Sequence, residues 1–259
     1  MLTIDIGFLV VTLFAFGAII GSFLHVVAER YGSEKSPWRG HSVCPDCKKT
    51  LSAKELIPIF SYITQQARCI SCRVEVPFHY PLVEALSGFL AIALLAPALQ
   101  SGASIVLAIL LLVVACILII LIRIDAKTMM LPDGFILLVG FFTILFAALE
   151  GRSVESAIFG MLAGAIPLYV LWAITGGRGI GFGDVKLMIV LGILFGFQGA
   201  ITLLFFSFFA GGVIGIFLLA TGQATAKTAI PFGPFLAGSA LLLMVFPNLA
   251  NLFFAFLGV

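Results

Sequence analysis

Two groups of residues have the types and spacing for chemistry. The first is four cysteines in two matching frames, Cys44-Pro-Asp-Cys47 and Cys69-Ile-Ser-Cys72, with 21 residues between them. Each Cys-x-x-Cys turn can present two thiolates to one tetrahedral ion, and two such turns close the coordination sphere, as in a zinc ribbon. A site with no open position is structural, so Cys44, Cys47, Cys69 and Cys72 are expected to hold a structural Zn2+. Two redox pairs or four idle thiols are the competing readings, and stable disulfides do not suit a cytoplasmic loop. His41 and His79 lie nearby but are superfluous as ligands, and Cys116, inside an apolar run, is expected to be a small packing residue.

The second group is acidic. Most of the 12 Asp and Glu residues are ordinary loop charges, Glu75 among them. Asp125 instead ends the run Ile119-Ile120-Leu121-Ile122-Arg123-Ile124, and Asp184 closes Gly179-Ile180-Gly181-Phe182-Gly183-Asp184. Ionisable groups at such positions are costly and usually functional. Two carboxylates that meet in a partly dry site cannot both ionise easily, so one keeps a proton. One then activates water while the other protonates a carbonyl oxygen, the chemistry of an aspartic protease. Paired membrane carboxylates also serve proton-coupled transporters, and from spacing alone both readings stand. The glycines before Asp184 permit close backbone approach, but no strand precedes them, so they form no dinucleotide fingerprint. Glu84, within an apolar run, is expected either to pair with a buried Lys or Arg or to belong to the site. Asp133, after Pro132, reads as a helix cap. Lys127 and Lys186 read as interfacial anchors, and Pro231-Phe232-Gly233-Pro234 as the turn that opens the last helix.

The elements that must position these groups are set by composition. The 259 residues are 62% hydrophobic and 10% charged, with a mean hydropathy of +1.23. Soluble domains carry about 25% charged residues. The solvent must therefore be lipid, and a net charge of +2 gives no reason to expect nucleic acid. A spanning helix needs about 20 apolar residues, and eight runs meet or approach that: about 5–28, 80–97, 103–122, 134–149, 154–175, 184–198, 201–220 and 233–257. The expected fold is an all-α polytopic membrane protein with a small zinc-ribbon insert between its first two spans. Its expected divisions are helix 1–29, insert 30–79 and a membrane catalytic domain 80–259. The first run lacks a basic n-region and a small-residue cleavage site, so it is expected to be retained. Eight of the 14 Lys and Arg residues fall between Arg30 and Arg73. With eight spans, Arg123, Lys127, Arg178, Lys186 and Lys227 join them on one side and only Arg152 falls on the other. The positive-inside rule then makes the insert and both aspartates cytoplasmic and both termini extracytoplasmic.

With these residues in hand, the chain resembles the type IV prepilin peptidases, membrane aspartic endopeptidases of the GxGD type. The likeness runs through Gly21-Ser22-Phe23-Leu24-His25-Val26-Val27 (with His25 where Asn is common), the paired Cys-x-x-Cys insert, and Tyr80-Pro81-Leu82-Val83-Glu84. It continues through Asp125 with Leu131-Pro132-Asp133, Gly181-Phe182-Gly183-Asp184-Val185-Lys186-Leu187, and Pro231-Phe232-Gly233-Pro234-Phe235. The resemblance implies that Asp125 and Asp184 are catalytic and that the substrate is a type IV prepilin or a type II secretion pseudopilin. It implies cleavage after Gly at the cytoplasmic face of the bacterial inner membrane, releasing a short basic leader from a hydrophobic helix. It further implies N-methylation of the new terminus with S-adenosyl-L-methionine as co-substrate, although neither the insert nor the spans offer residues assignable to that group. In the segment Lys48–Arg68, Tyr62–Arg68 departs from the more basic stretch of many relatives.

Overall fold

The computed structural model describes residues 5–32, 36, 40–102, 104–225 and 228–258. Among the sequence expectations, Ala103 and the cations Lys35, Arg39 and Lys227 lie outside them. Helices carry most of the described chain: α1 (Ile6–Arg30), α2 (Phe60–Thr64), α3 (His79–Ser101), α4 (Ile105–Thr128), α5 (Asp133–Glu150), α6 (Val154–Thr175), α7 (Phe182–Ala220), α8 (Gly233–Val245) and α9 (Leu249–Leu257). Each of the eight expected runs overlaps a helix, and six helices are individually long and apolar enough to cross a bilayer.

Two expectations change in detail. The runs 184–198 and 201–220 form one 39-residue element, α7, broken at Gly196 (φ 67°, ψ −171°). A straight helix of that length would reach about 58 Å, almost twice the roughly 30 Å of hydrocarbon, so the break is what makes two spans possible. The last run, 233–257, is not one helix but α8 and α9 bent by 100°. Pro247 explains the bend, because it cannot donate to the preceding turn and drives Phe246 out of helical geometry (φ −121°, ψ 71°).

By contacts, the chain forms two compact units, Met1–Ala108 and Ile109–Val259. In the first, α1 packs on α3. Its inward face is small, with Gly17, Ala18, Gly21 and Ala28 buried, while Phe8, Val11, Phe16 and Ile19 point outward. Association in lipid relies on such close backbone approach rather than on apolar burial. A Cβ on Gly17 would lie 2.4 Å from the Ser87 carbonyl oxygen. In the second unit α7 is the hub, contacted by α5, α6, α8 and α9. Its crossing with α6 is again made of glycine: a Cβ on Gly160 would fall 2.2 Å from the Gly192 carbonyl, and one on Gly192 would fall 2.4 Å from that of Gly160. Around it Leu168, Leu187, Met188, Leu191, Leu203 and Leu236 are fully buried.

Candidate active site

Asp125 and Asp184 both belong to the second unit and are only 4% and 5% exposed. Asp125 lies inside the last turns of α4, not in the loop where sequence placed the boundary, because the helix continues past Arg123 to Thr128. Asp184 is the third residue of α7. Its Oδ2 reaches back to accept the Gly181 N–H at 3.1 Å, satisfying one of the orphan donors at that helix start. Asp125 does the same for another helix, accepting from the backbone N–H of Gly233, the first residue of α8. The two carboxylates thus sit at two helix N-termini, where the backbone dipoles favour negative charge. Gly183, next to Asp184, and Gly233, beside Asp125, both pack on Leu131, so the two carboxylates open onto one neighbourhood. Asp184 Oδ1 is buried without a hydrogen-bond partner. A buried carboxylate oxygen without a protein donor suits a water or a substrate group.

Leu131 and Gly233 shape this space. A Cβ on Gly183 would meet Leu131 at 3.0 Å, and one on Gly233 would fall 2.6 Å from Asp125 Oδ2 and 3.2 Å from Leu131. Gly233 was legible only as part of a turn; its role as donor to Asp125 depends on long-range packing. Asp133 is also not the cap that its place after Pro132 suggested. Pro132 occupies the cap position, and the Asp133 carboxylate takes Lys186 Nζ at 2.8 and 2.9 Å. Lys186 therefore bridges α7 to α5, two residues from Asp184, rather than serving only as an interfacial anchor. It also lies 5.4 Å from the Phe182 ring centroid. Lys127 is exposed. At the other end of α5, Arg152 pairs with Glu150 at 2.7 Å and lies beside Gly196. The aspartates and Arg152 thus mark opposite ends of this unit.

In the first unit the four cysteines come together, with all four Sγ atoms within 4.8 Å of one another. Zn–S bonds of about 2.3 Å place tetrahedral sulfurs roughly 3.8 Å apart, and Cys44 and Cys72 are at 3.7 Å. The two knuckles repeat one another. Cys44 N–H donates to Lys49 O and Lys48 N–H to Cys44 O, as Cys69 N–H donates to Val74 O and Arg73 N–H to Cys69 O. Lys48 and Arg73 share φ 58°. Amides of Cys72 and Ser71 hold the Cys69 thiol down to about 7, while burial and the neighbouring thiols push that of Cys72 up to about 11. The donor set fits structural zinc.

Glu84 finds neither Lys nor Arg among the described contacts. It accepts from the Ile59 N–H at 2.7 Å and from the Ser22 hydroxyl. Ile59 sits at φ 62°, ψ −48°, with the Phe60 N–H donating to Pro58 O across it, a strained γ-turn for a β-branched residue. Glu84 therefore fastens the insert to α3.

Residues 15–97 match the bacterial Peptidase A24 N-terminal domain, and residues 111–216 match the type IV leader peptidase family. A prepilin leader peptidase/N-methyltransferase of Aeromonas hydrophila is 34% identical over 253 residues, covering 86% of each chain. One of Bacillus subtilis is 33% identical over 233 residues, covering 89% of this chain and 91% of its own. The Pseudomonas aeruginosa relative is 32% identical over 258 residues, with 85% and 84% covered.

The chain belongs to the type IV leader peptidase family.

It is accordingly a multi-pass membrane enzyme, and the transport reading that paired carboxylates left open finds no support. No solved structure matches it.

Proposed function

We propose that this family member removes the leader of prepilins or pseudopilins, with Asp125 and Asp184 as its catalytic pair. One observation carries the assignment: two buried carboxylates stand on two helix N-termini that both pack on Leu131, one with an open oxygen, inside a chain of this family. The substrate peptide must be extended at the cleaved bond, because helical hydrogen bonds shield its carbonyls. A Gly before that bond eases the unwinding. The ionised carboxylate takes a proton from water, and the resulting hydroxyl attacks the peptide carbonyl. The protonated partner donates to the carbonyl oxygen, giving a tetrahedral diol. Return of a proton to the amide nitrogen breaks the C–N bond and releases the leader carboxylate and the new amino terminus.

The cysteine tetrad would hold zinc as a folding element of an insert too small to bury a core, and no hydrolytic step passes through it. The distribution of Lys and Arg supports a cytoplasmic insert and aspartates, extracytoplasmic termini, and a location in the bacterial inner membrane. The divisions 1–29, 30–79 and 80–259 describe polarity along this topology. N-methylation with S-adenosyl-L-methionine rests on the names of the relatives. The described residues present no donor set assignable to that co-substrate. The test incubates purified protein with a prepilin and follows leader release for wild type, Asp125→Asn and Asp184→Asn. Undiminished cleavage in either variant removes that residue from the mechanism, and the mass of the mature N-terminus with added S-adenosyl-L-methionine reports methylation.

A further inference from the structure

The first unit contains a second cluster of metal-ligand type, separate from the cysteines. His25 and Glu29 are four residues apart on α1 and so share one face of it. His79 is the first residue of α3. One ligand atom from each lies within 4.8 Å of the other two, with His25 Nε2 at 3.9 Å from Glu29 Oε1. The imidazoles of His25 and His79 stack with centroids 5.0 Å apart and an interplanar angle of 27°, and Tyr80 packs on both. His25 is 2% exposed, whereas the Glu29 side chain is 31% exposed. The group is therefore buried at one end and open at the other, which gives an ion an entry path.

We propose that His25, Glu29 and His79 form a second metal site, selective for a first-row divalent transition ion. Two imidazoles and one carboxylate suit zinc, cobalt, nickel or iron(II), and two nitrogen donors exclude a preference for magnesium or calcium. Bonds of about 2.0–2.2 Å require donor atoms closer together than 4.8 Å, and rotation of the partly exposed Glu29 side chain supplies much of that closure. Three protein donors leave at least one position for water. This ion is exchangeable where the thiolate-bound one is closed in.

The location gives the site its consequence. α1 ends at Arg30 and α3 begins at His79, so the whole insert leaves and re-enters the helices beside this cluster. An ion held by His25 and Glu29 on one side and His79 on the other ties the two chain ends at the neck of the insert. Metal availability then sets how firmly the insert is held, independently of the zinc that folds it.

The experiment titrates Co2+ into detergent-purified full-length protein whose cysteine site already carries zinc. Metal is counted by mass spectrometry, and the visible absorption of cobalt reports nitrogen and oxygen rather than sulfur ligation. The expected result is a second metal equivalent in wild type without a thiolate-to-cobalt band. In His25→Asn, His79→Asn and Glu29→Gln this equivalent weakens at least tenfold while the zinc is retained. Hydrogen exchange at residues 40–78 slows on cobalt addition in wild type and is unchanged by cobalt in the variants. Saturation of wild type at one metal overturns the site, as does a second equivalent that survives all three substitutions. Glu29→Gln alters the most accessible ligand, and retained zinc with unchanged thermal unfolding certifies that its loss of cobalt is not loss of fold.

Discussion

The cysteine knuckles and the aspartate pair are both small constellations of ionisable side chains, yet they are built in opposite ways. Each knuckle closes within about six residues through its own backbone, and the two are near copies, down to the positive φ of Lys48 and Arg73. The aspartate pair has no such shared local frame. Asp184 is held by its own helix start, but Asp125 depends on an amide contributed by α8, more than a hundred residues downstream. A fold element can thus be assembled from sequence-local parts, whereas the proposed catalytic pair is assembled only when α4, α7 and α8 have packed.

That contrast makes separable failures. Asp125→Asn or Asp184→Asn should cut leader cleavage at least about 100-fold, the scale of a lost acid–base group, while zinc content and unfolding temperature stay as in wild type. Cys44→Ser should do the converse: metal analysis shows zinc lost, and hydrogen exchange across residues 40–78 rises to that of an unfolded segment while the helices keep their protection. Retained zinc in that variant would break the comparison at its simpler end. Gly233→Ala places a methyl group 2.6 Å from Asp125 Oδ2. Displacement of the carboxylate should lower kcat roughly 10- to 100-fold, with KM and zinc nearly unchanged. The smallest effect belongs to Lys186→Met. Its bridge to Asp133 is partly exposed on both sides, so the stability change should stay within about 1 kcal/mol, and activity should fall only a few-fold through looser placement of the start of α7.

The same contrast explains what could be read from the chain. Cys44, Cys47, Cys69 and Cys72 announce their geometry because spacing alone fixes it. The spans are legible because lipid demands long apolar runs, and Asp125 and Asp184 stand out because charge is scarce around them. The partners of those aspartates were hidden. Gly233 reads as a turn residue, and Asp133 as a cap, because nothing local says that α8 begins beside α4 or that α5 and α7 start side by side. Glu84 invited either a cationic partner or a place in the site but takes a strained backbone amide, a demand created by the conformation of Ile59 and not by its type. The bend after Val245 was written in Pro247, whose effect an uninterrupted hydropathy count passes over.

On the proposed assignment of Asp184, the break at Gly196 has a bearing on where hydrolysis happens. Up to that residue, the half of α7 that carries Asp184 rises only about 21 Å, some 9 Å less than the hydrocarbon it must cross. With the break near the far interface, the carboxylate is drawn below the near one, or the bilayer thins around it. In either case the scissile peptide must shed headgroup water before it meets the acid pair. The hydrophobic helix that follows the leader then becomes part of the recognition, because it is the segment that makes such a descent favourable.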